Sequence, residues 1–404
     1  MAADGAQRAD ETQDIGWGVK AIILAGGPAI SLATSLIQAV LPSIQADLAH
    51  GPDEAFLVKM LVGINTLAMA IGAALTGFLV DRFGLKRVMA INYALYALAG
   101  TAPVYLTDLR LLLVSRFLLG LAAAGAVTGS IIIINARMAG ERRASWLGYY
   151  NAVAQASGVV LNPVSGMLGA VNWHWAFAIY GIAAPFAVVA LLALDSMVSR
   201  APPSSQPLLE RSVEAVSGFF GWFPLRFLLL GLCLGMMIYI PAVYLPYRMH
   251  ELGMVNPFYI SLVLTGDIIA GTLAALLYGR AKRFLSEYQA FAISVGLGGL
   301  GLLIAAVAPS VPIMVFGAVI FGAGIGWVQP NLMYVIAGRV ERDRQGRAAG
   351  LVKSSVYLGS PVAVVLTEPV ARSFGAPGAL LAAVAMAAAL FLGALPKLVR
   401  RRPA

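Results

Sequence analysis

The sequence predicts an all-α membrane protein, with twelve transmembrane helices arranged as two six-helix bundles. Three observations carry this reading. Of 404 residues, 60% are hydrophobic and 12% are charged, whereas a soluble domain is about half apolar and about a quarter charged. Mean hydropathy is +0.83. The uncharged runs are close to the roughly 20 residues that a helix needs to cross a bilayer. Between them, Lys and Arg gather in short clusters.

The composition argues against a soluble enzyme, a disordered chain and a nucleic-acid-binding module. The net charge of +9 belongs to loops beside a membrane, with lipid rather than nucleic acid as the partner. The single Cys233 allows no internal disulfide and no multi-Cys metal site. His50, His174 and His250 are far apart in sequence and form no metal motif. Neither metal nor cofactor is expected.

The elements follow from the charges. Span one lies in 21–46, between Lys20 and Asp47, and span two in 60–80, between Lys59 and Asp81. Span three takes 88–107 and span four 117–136. Residues 144–194 are uncharged and too long for one crossing. Asn172-Trp173-His174-Trp175 divides them into spans five and six, its tryptophans suited to an interface. Residues 196–220, with Pro202, Pro203, Glu210 and Arg211, form the longest internal polar stretch and read as a linker.

The second half repeats the pattern. Span seven takes 227–247 and span eight 256–279, the latter interrupted by Asp267. Residues 288–338 are double-length and break at Pro309-Ser310-Val311-Pro312 into spans nine and ten. Span eleven takes 348–371 and carries Lys353 and Glu368; span twelve takes 373–396. The expected organisation is a tail at 1–19, a bundle at 20–195, the linker at 196–220, a second bundle at 221–396 and a tail at 397–404.

Alternate loops and both termini hold 22 Lys and Arg, against 4 in the remaining loops. By the positive-inside rule, both termini and the linker are expected in the cytoplasm. Residues 1–19 lack the basic start and cleavage site of a signal peptide, so span one is expected to be an uncleaved anchor. This pattern fits a bacterial inner membrane.

The loop after span two reads Gly77-Phe-Leu-Val-Asp81-Arg82-Phe-Gly84-Leu-Lys86-Arg87. A short turn containing glycine lets two helices meet closely, and Asp81 can face the positive N-terminus of a neighbouring helix. The loop resembles the signature G-x-x-x-D-R-x-G-R-R/K of the major facilitator superfamily. Leu85 departs from the usual Arg, and Arg87 supplies a nearby cation. Two weaker stretches add to the resemblance. Arg116-Phe-Leu-Leu-Gly120 is similar to R-x-x-Q-G, with Leu119 in place of Gln. Gly158-Val-Val-Leu-Asn162-Pro163-Val-Ser-Gly166 is similar to the antiporter motif G-x-x-x-G-P-x-x-G-G, with Asn162 and Met167 in place of two glycines. The loop after span eight, Gly279-Arg280-Ala281-Lys282-Arg283, lacks the acid. The resemblance covers residues 20–396 and leans towards the twelve-span drug:proton antiporters. It implies alternating access of a central cavity, with Gly77, Asp81, Arg82, Gly84, Lys86, Arg137 and Pro163 in gating roles.

A charge inside a span costs roughly 2.5–3.5 kcal/mol on insertion scales, so it has a function or a partner. There are four: Arg116, Asp267, Lys353 and Glu368. Arg116 suits an anionic cargo or an ion pair. Asp267, in mid-span, suits a proton carrier or a pair with Lys353 or Arg116. Lys353 and Tyr357 share a face of span eleven, where Lys353 either lines the cavity or snorkels to the surface. Glu368, near the outer end, suits proton binding or a gate. Gln38, Asn162, Tyr239, Gln329 and Asn331 are candidate neutral cargo contacts, with helix packing as their alternative role.

The expected function is proton-coupled export of a small organic compound by a monomer. The alternative is a proton-coupled symporter taking up an organic anion, which Arg116 and Lys353 favour. A membrane enzyme is disfavoured, because no nucleophile–base set or metal motif appears.

Overall fold

The computed structural model describes residues 15–194, 225–341 and 345–399. The expected linker at 196–220, the tail before residue 15 and the tail after residue 399 lie outside the described residues. Every regular element among the described residues is helical.

The first crossing is bent. It consists of α1 (Trp17–Ser35), a 3-10 turn (Leu36–Val40) and α2 (Leu41–Leu48). Pro42 has no N–H to offer the Gln38 carbonyl, and the ladder tightens to i,i+3 bonding there. Next come α3 (Pro52–Phe83), α4 (Leu85–Thr101), α5 (Leu109–Arg137) and α6 (Gly140–Val171). Asp108 caps α5 by accepting from the Arg110 and Leu111 N–H groups at 2.8 and 3.0 Å. The sixth crossing is α7 (Trp173–Ala176), a 3-10 stretch (Phe177–Ala183) and α8 (Ala184–Ala193).

The second half holds α9 (Leu225–Glu251), α10 (Pro257–Ala281), α11 (Glu287–Val307), α12 (Val311–Ile325), α13 (Val328–Arg339) and α14 (Gln345–Val399). The 55-residue α14 contains spans eleven and twelve. It is interrupted at Gly375, whose φ of 67° and ψ of −165° suit glycine alone. Glu251 accepts the Ala376 N–H at 3.1 Å and so restarts the helix after the break.

Among the described residues, nine helical segments are long and apolar enough to cross a membrane. The twelve expected spans nonetheless all fall on helices. Three features account for the difference: α4 has only 17 residues, α6 carries Arg142, Arg143, Asn151, Gln155 and Asn162, and α14 joins two spans. Bulky apolar side chains cover the outside; Leu98, Val171, Leu192 and Leu276 are each more than 70% exposed. A water-soluble protein keeps such patches small, so this surface belongs in lipid.

Helices α1–α8 pack on one another, as do α9–α14, and the two bundles meet along two seams: α3 against α14, and α6 against α10. Both seams are tight at the end away from the basic loops. A Cβ added at Gly63 of α3 would lie 3.0 Å from Pro361 Cα of α14. One added at Gly166 of α6 would collide with Ser261 of α10. The 3-10 turn and α2 also reach across to α9 and α10 at that end. Towards the basic loops, Gly77 of α3, Gly148 of α6 and Gly350 of α14 face open space. The space between the bundles therefore opens towards the basic loops.

Candidate transport site

The four in-span charges divide into two that the fold engages and two that it leaves without a charged partner. Arg116 on α5 is 2% exposed. Its guanidinium donates to the carbonyls of Ala99 at 2.7 Å and Gly100 at 3.0 Å. These are among the last carbonyls of α4, which have no partner in their own helix and carry its negative dipole end. Phe177 and Tyr180 lie beside the guanidinium, their ring centres 5.0 and 5.4 Å away. Arg116 thus sits inside the first bundle, apart from the space between the bundles.

Glu368 is engaged across the seam. Lys59 of α3 donates to its Oε2 at 2.8 Å, and Arg372 reaches Oε1 at 3.2 Å. Arg372 in turn meets Asp53 of α3 at 3.2 Å. The order Lys59–Glu368–Arg372–Asp53 alternates in charge and crosses between the bundles twice. Tyr244 of α9 donates to Glu368 at 3.4 Å, and the Lys59 ammonium lies over the rings of Tyr244 and Tyr247.

Asp267 and Lys353 have no ion-pair partner among the described residues. Asp267 therefore pairs with neither Arg116 nor Lys353. It packs against Gly322 of α12, where an added Cβ would strike both its carboxylate and its backbone carbonyl. Its Oδ1 is buried without a hydrogen-bond partner. Lys353 is exposed, and its ammonium lies 5.8 Å from the Tyr357 ring centre.

The neutral candidates scatter. Asn162 accepts from Ser35 at 2.9 Å, tying α6 to α1 beside Pro163. Gln38 bonds back to the Thr34 carbonyl. Asn331 accepts from Tyr278 and donates to the Glu287 carbonyl, within the second bundle. Gln329 is exposed and Tyr239 is buried. Tyr357 lies within electrostatic reach of both Tyr239 and Tyr150. Of the neutral candidates, then, only Tyr239 is gathered with Tyr357 and Lys353.

The signature loop sits at the open end. Gly84 joins α3 to α4 with a φ of +82°, a left-handed turn that favours glycine. Asp81 and Arg82 are exposed there, while Lys86 and Arg137 are half-buried.

Two features escaped the sequence reading. Lys59 marks the boundary of span two in the sequence, yet α3 begins at Pro52 and Lys59 is only 9% exposed. The available signal was Gly51-Pro52, because proline favours the first position of a helix. Tyr150 was not singled out; its hydroxyl is buried without a partner.

The sequence pattern of the Major Facilitator Superfamily matches residues 24–254 and 227–404. A niacin transporter, NiaP of Acinetobacter baylyi, is 28% identical over 45% of this chain, and the match spans only 39% of that protein. The multidrug efflux pump Tap of Mycolicibacterium fortuitum is 26% identical over 77% of this chain and 80% of its own. The crystal structure of a D-xylose-proton symporter superposes with a TM-score of 0.73 over 95% of this chain and 97% of that one; at 14% identity, it speaks to the fold alone. The helix order, the seams between two bundles and the family match agree: this chain is an integral membrane transporter, not an enzyme, and belongs to the major facilitator superfamily.

Proposed function

We propose that the protein exports a small organic compound in exchange for protons, with Asp267 carrying the proton. The observation behind this is an in-span carboxylate with one buried, unpartnered oxygen and, among the described residues, no ion-pair partner. An isolated buried carboxylate is costly when ionised. A proton carrier needs its proton affinity to differ between the two openings, since otherwise pH has no leverage on the equilibrium. Similarity to a multidrug efflux pump supports the outward direction. In this reading the basic loops and both termini are cytoplasmic, the membrane is the bacterial inner membrane and the protein acts as a monomer. The structure is then open to the cytoplasm and ready to load.

Counterflow in proteoliposomes, with cationic, anionic and neutral solutes, tests this directly. Asp267→Asn should retain exchange and lose accumulation driven by a pH gradient. Intact gradient-driven transport in a well-folded Asp267→Asn protein would overturn the assignment and shift attention to Glu368.

A further inference from the structure

We infer that the cargo is a small organic anion with an aromatic or otherwise apolar body, and that Lys353, Tyr357 and Tyr150 hold its anionic group. This rests on reading the space between the bundles as the transport path, and it is independent of the direction of transport. Lys353 lies in α14, four residues before Tyr357, so the two side chains share a helix face. Tyr357 packs against the core cluster that includes Tyr150 of α6, in the other bundle, and Tyr239 of α9. That face therefore looks into the seam rather than into lipid. The Lys353 ammonium lies 5.8 Å from the centre of the Tyr357 ring.

Among the described residues, this ammonium has no counter-ion. The buried polar residues of the first bundle include no Asp or Glu. Glu368 is occupied by Lys59 and Arg372. Asp267 forms no ion pair. Arg116 lies inside the first bundle, apart from the seam, with its Nη2 held by backbone carbonyls. A cation without a counter-ion, facing the seam between the bundles, draws in anions that enter. The Tyr150 hydroxyl is a buried donor without a partner, a condition that protein interiors rarely leave unfilled. An ammonium and phenol donors match a carboxylate or phenolate, whose oxygens only accept. The aromatic rings offer the rest of the molecule a face to stack on.

One ring framework in three charge states makes the test. Binding of benzoate, benzamide and benzylamine to the purified full-length protein in nanodiscs is measured by calorimetry at neutral pH. Benzoate should bind about 10-fold or more tightly than benzamide, with benzylamine weakest, in line with charge-assisted hydrogen bonding. Lys353→Gln should abolish that preference and Lys353→Arg should keep it. Tyr150→Phe should weaken benzoate several-fold and leave benzamide unchanged. Thermal unfolding of each variant separates lost binding from lost folding. Absence of benzoate binding, equal binding of the three, or a preference that survives Lys353→Gln would overturn the inference. Binding is measured without a gradient, so the preference does not depend on proton coupling. Failure of proton-driven export with the preference intact would sink the export reading and leave this one standing.

Discussion

Lys59 and Glu368, 309 residues apart in the chain, form a buried ion pair of 2.8 Å that joins the two bundles at their closed end. Alternating access requires this contact to break whenever that end opens. Its strength therefore bears on the balance between the two openings as well as on the fold.

Lys59→Met leaves Glu368 with Arg372 as its remaining cation, beside the Tyr244 hydroxyl. Removing one partner of a buried pair costs about 3–5 kcal/mol, and the remaining cation lowers that figure. Glu368→Gln together with Lys59→Met should be less damaging than the sum of the single changes. Thermal unfolding in detergent should give a coupling of about 1–3 kcal/mol. Additive losses would mean that the pair does not hold the seam.

Gly322→Ala places a methyl group against the Asp267 carboxylate and backbone. Overpacking of this kind costs about 1–3 kcal/mol. The variant should melt lower and lose gradient-driven transport to a greater extent than counterflow. An unchanged melting point would show that α10 and α12 do not meet as closely as described.

Arg116→Met removes the donors to the Ala99 and Gly100 carbonyls. Stability should fall by about 1–3 kcal/mol, the cost of leaving buried acceptors unpaired, while cargo affinity stays the same. Normal stability with weakened binding would return Arg116 to the cargo site that its sequence position first suggested.

Single cysteines at Val255 and Phe284, both exposed and in successive loops, should react with an impermeant maleimide from opposite sides of the membrane. A Cys233→Ser background removes the native thiol. Phe284→Cys is expected to label from the cytoplasm. Reaction of both from one side would contradict the assigned orientation.

The crossings were legible because lipid enforces a simple rule: charge ends a span. The same rule misplaced Lys59, which lies within α3 because Glu368 awaits it on a helix more than 300 residues away. No local pattern encodes that partner. The turn at Gly84 was legible for a different reason, since its left-handed φ suits the glycine that the sequence places there. Arg116 misled because a membrane arginine suggests an anion, and carbonyls at the end of a neighbouring helix take its Nη2 instead. The Asp267–Gly322 contact was invisible too: the absence of a side chain at 322 matters only once α12 is known to pack on α10.

The approach of Gly63 to Pro361 also offers a handle on the transport cycle. Two backbones in such near contact leave no room for a doorstop, so a valine at Gly63 should wedge the closed end ajar. A protein jammed in that posture would spend its time facing away from the basic loops. It would provide antibodies or inhibitors with a surface that the resting molecule conceals.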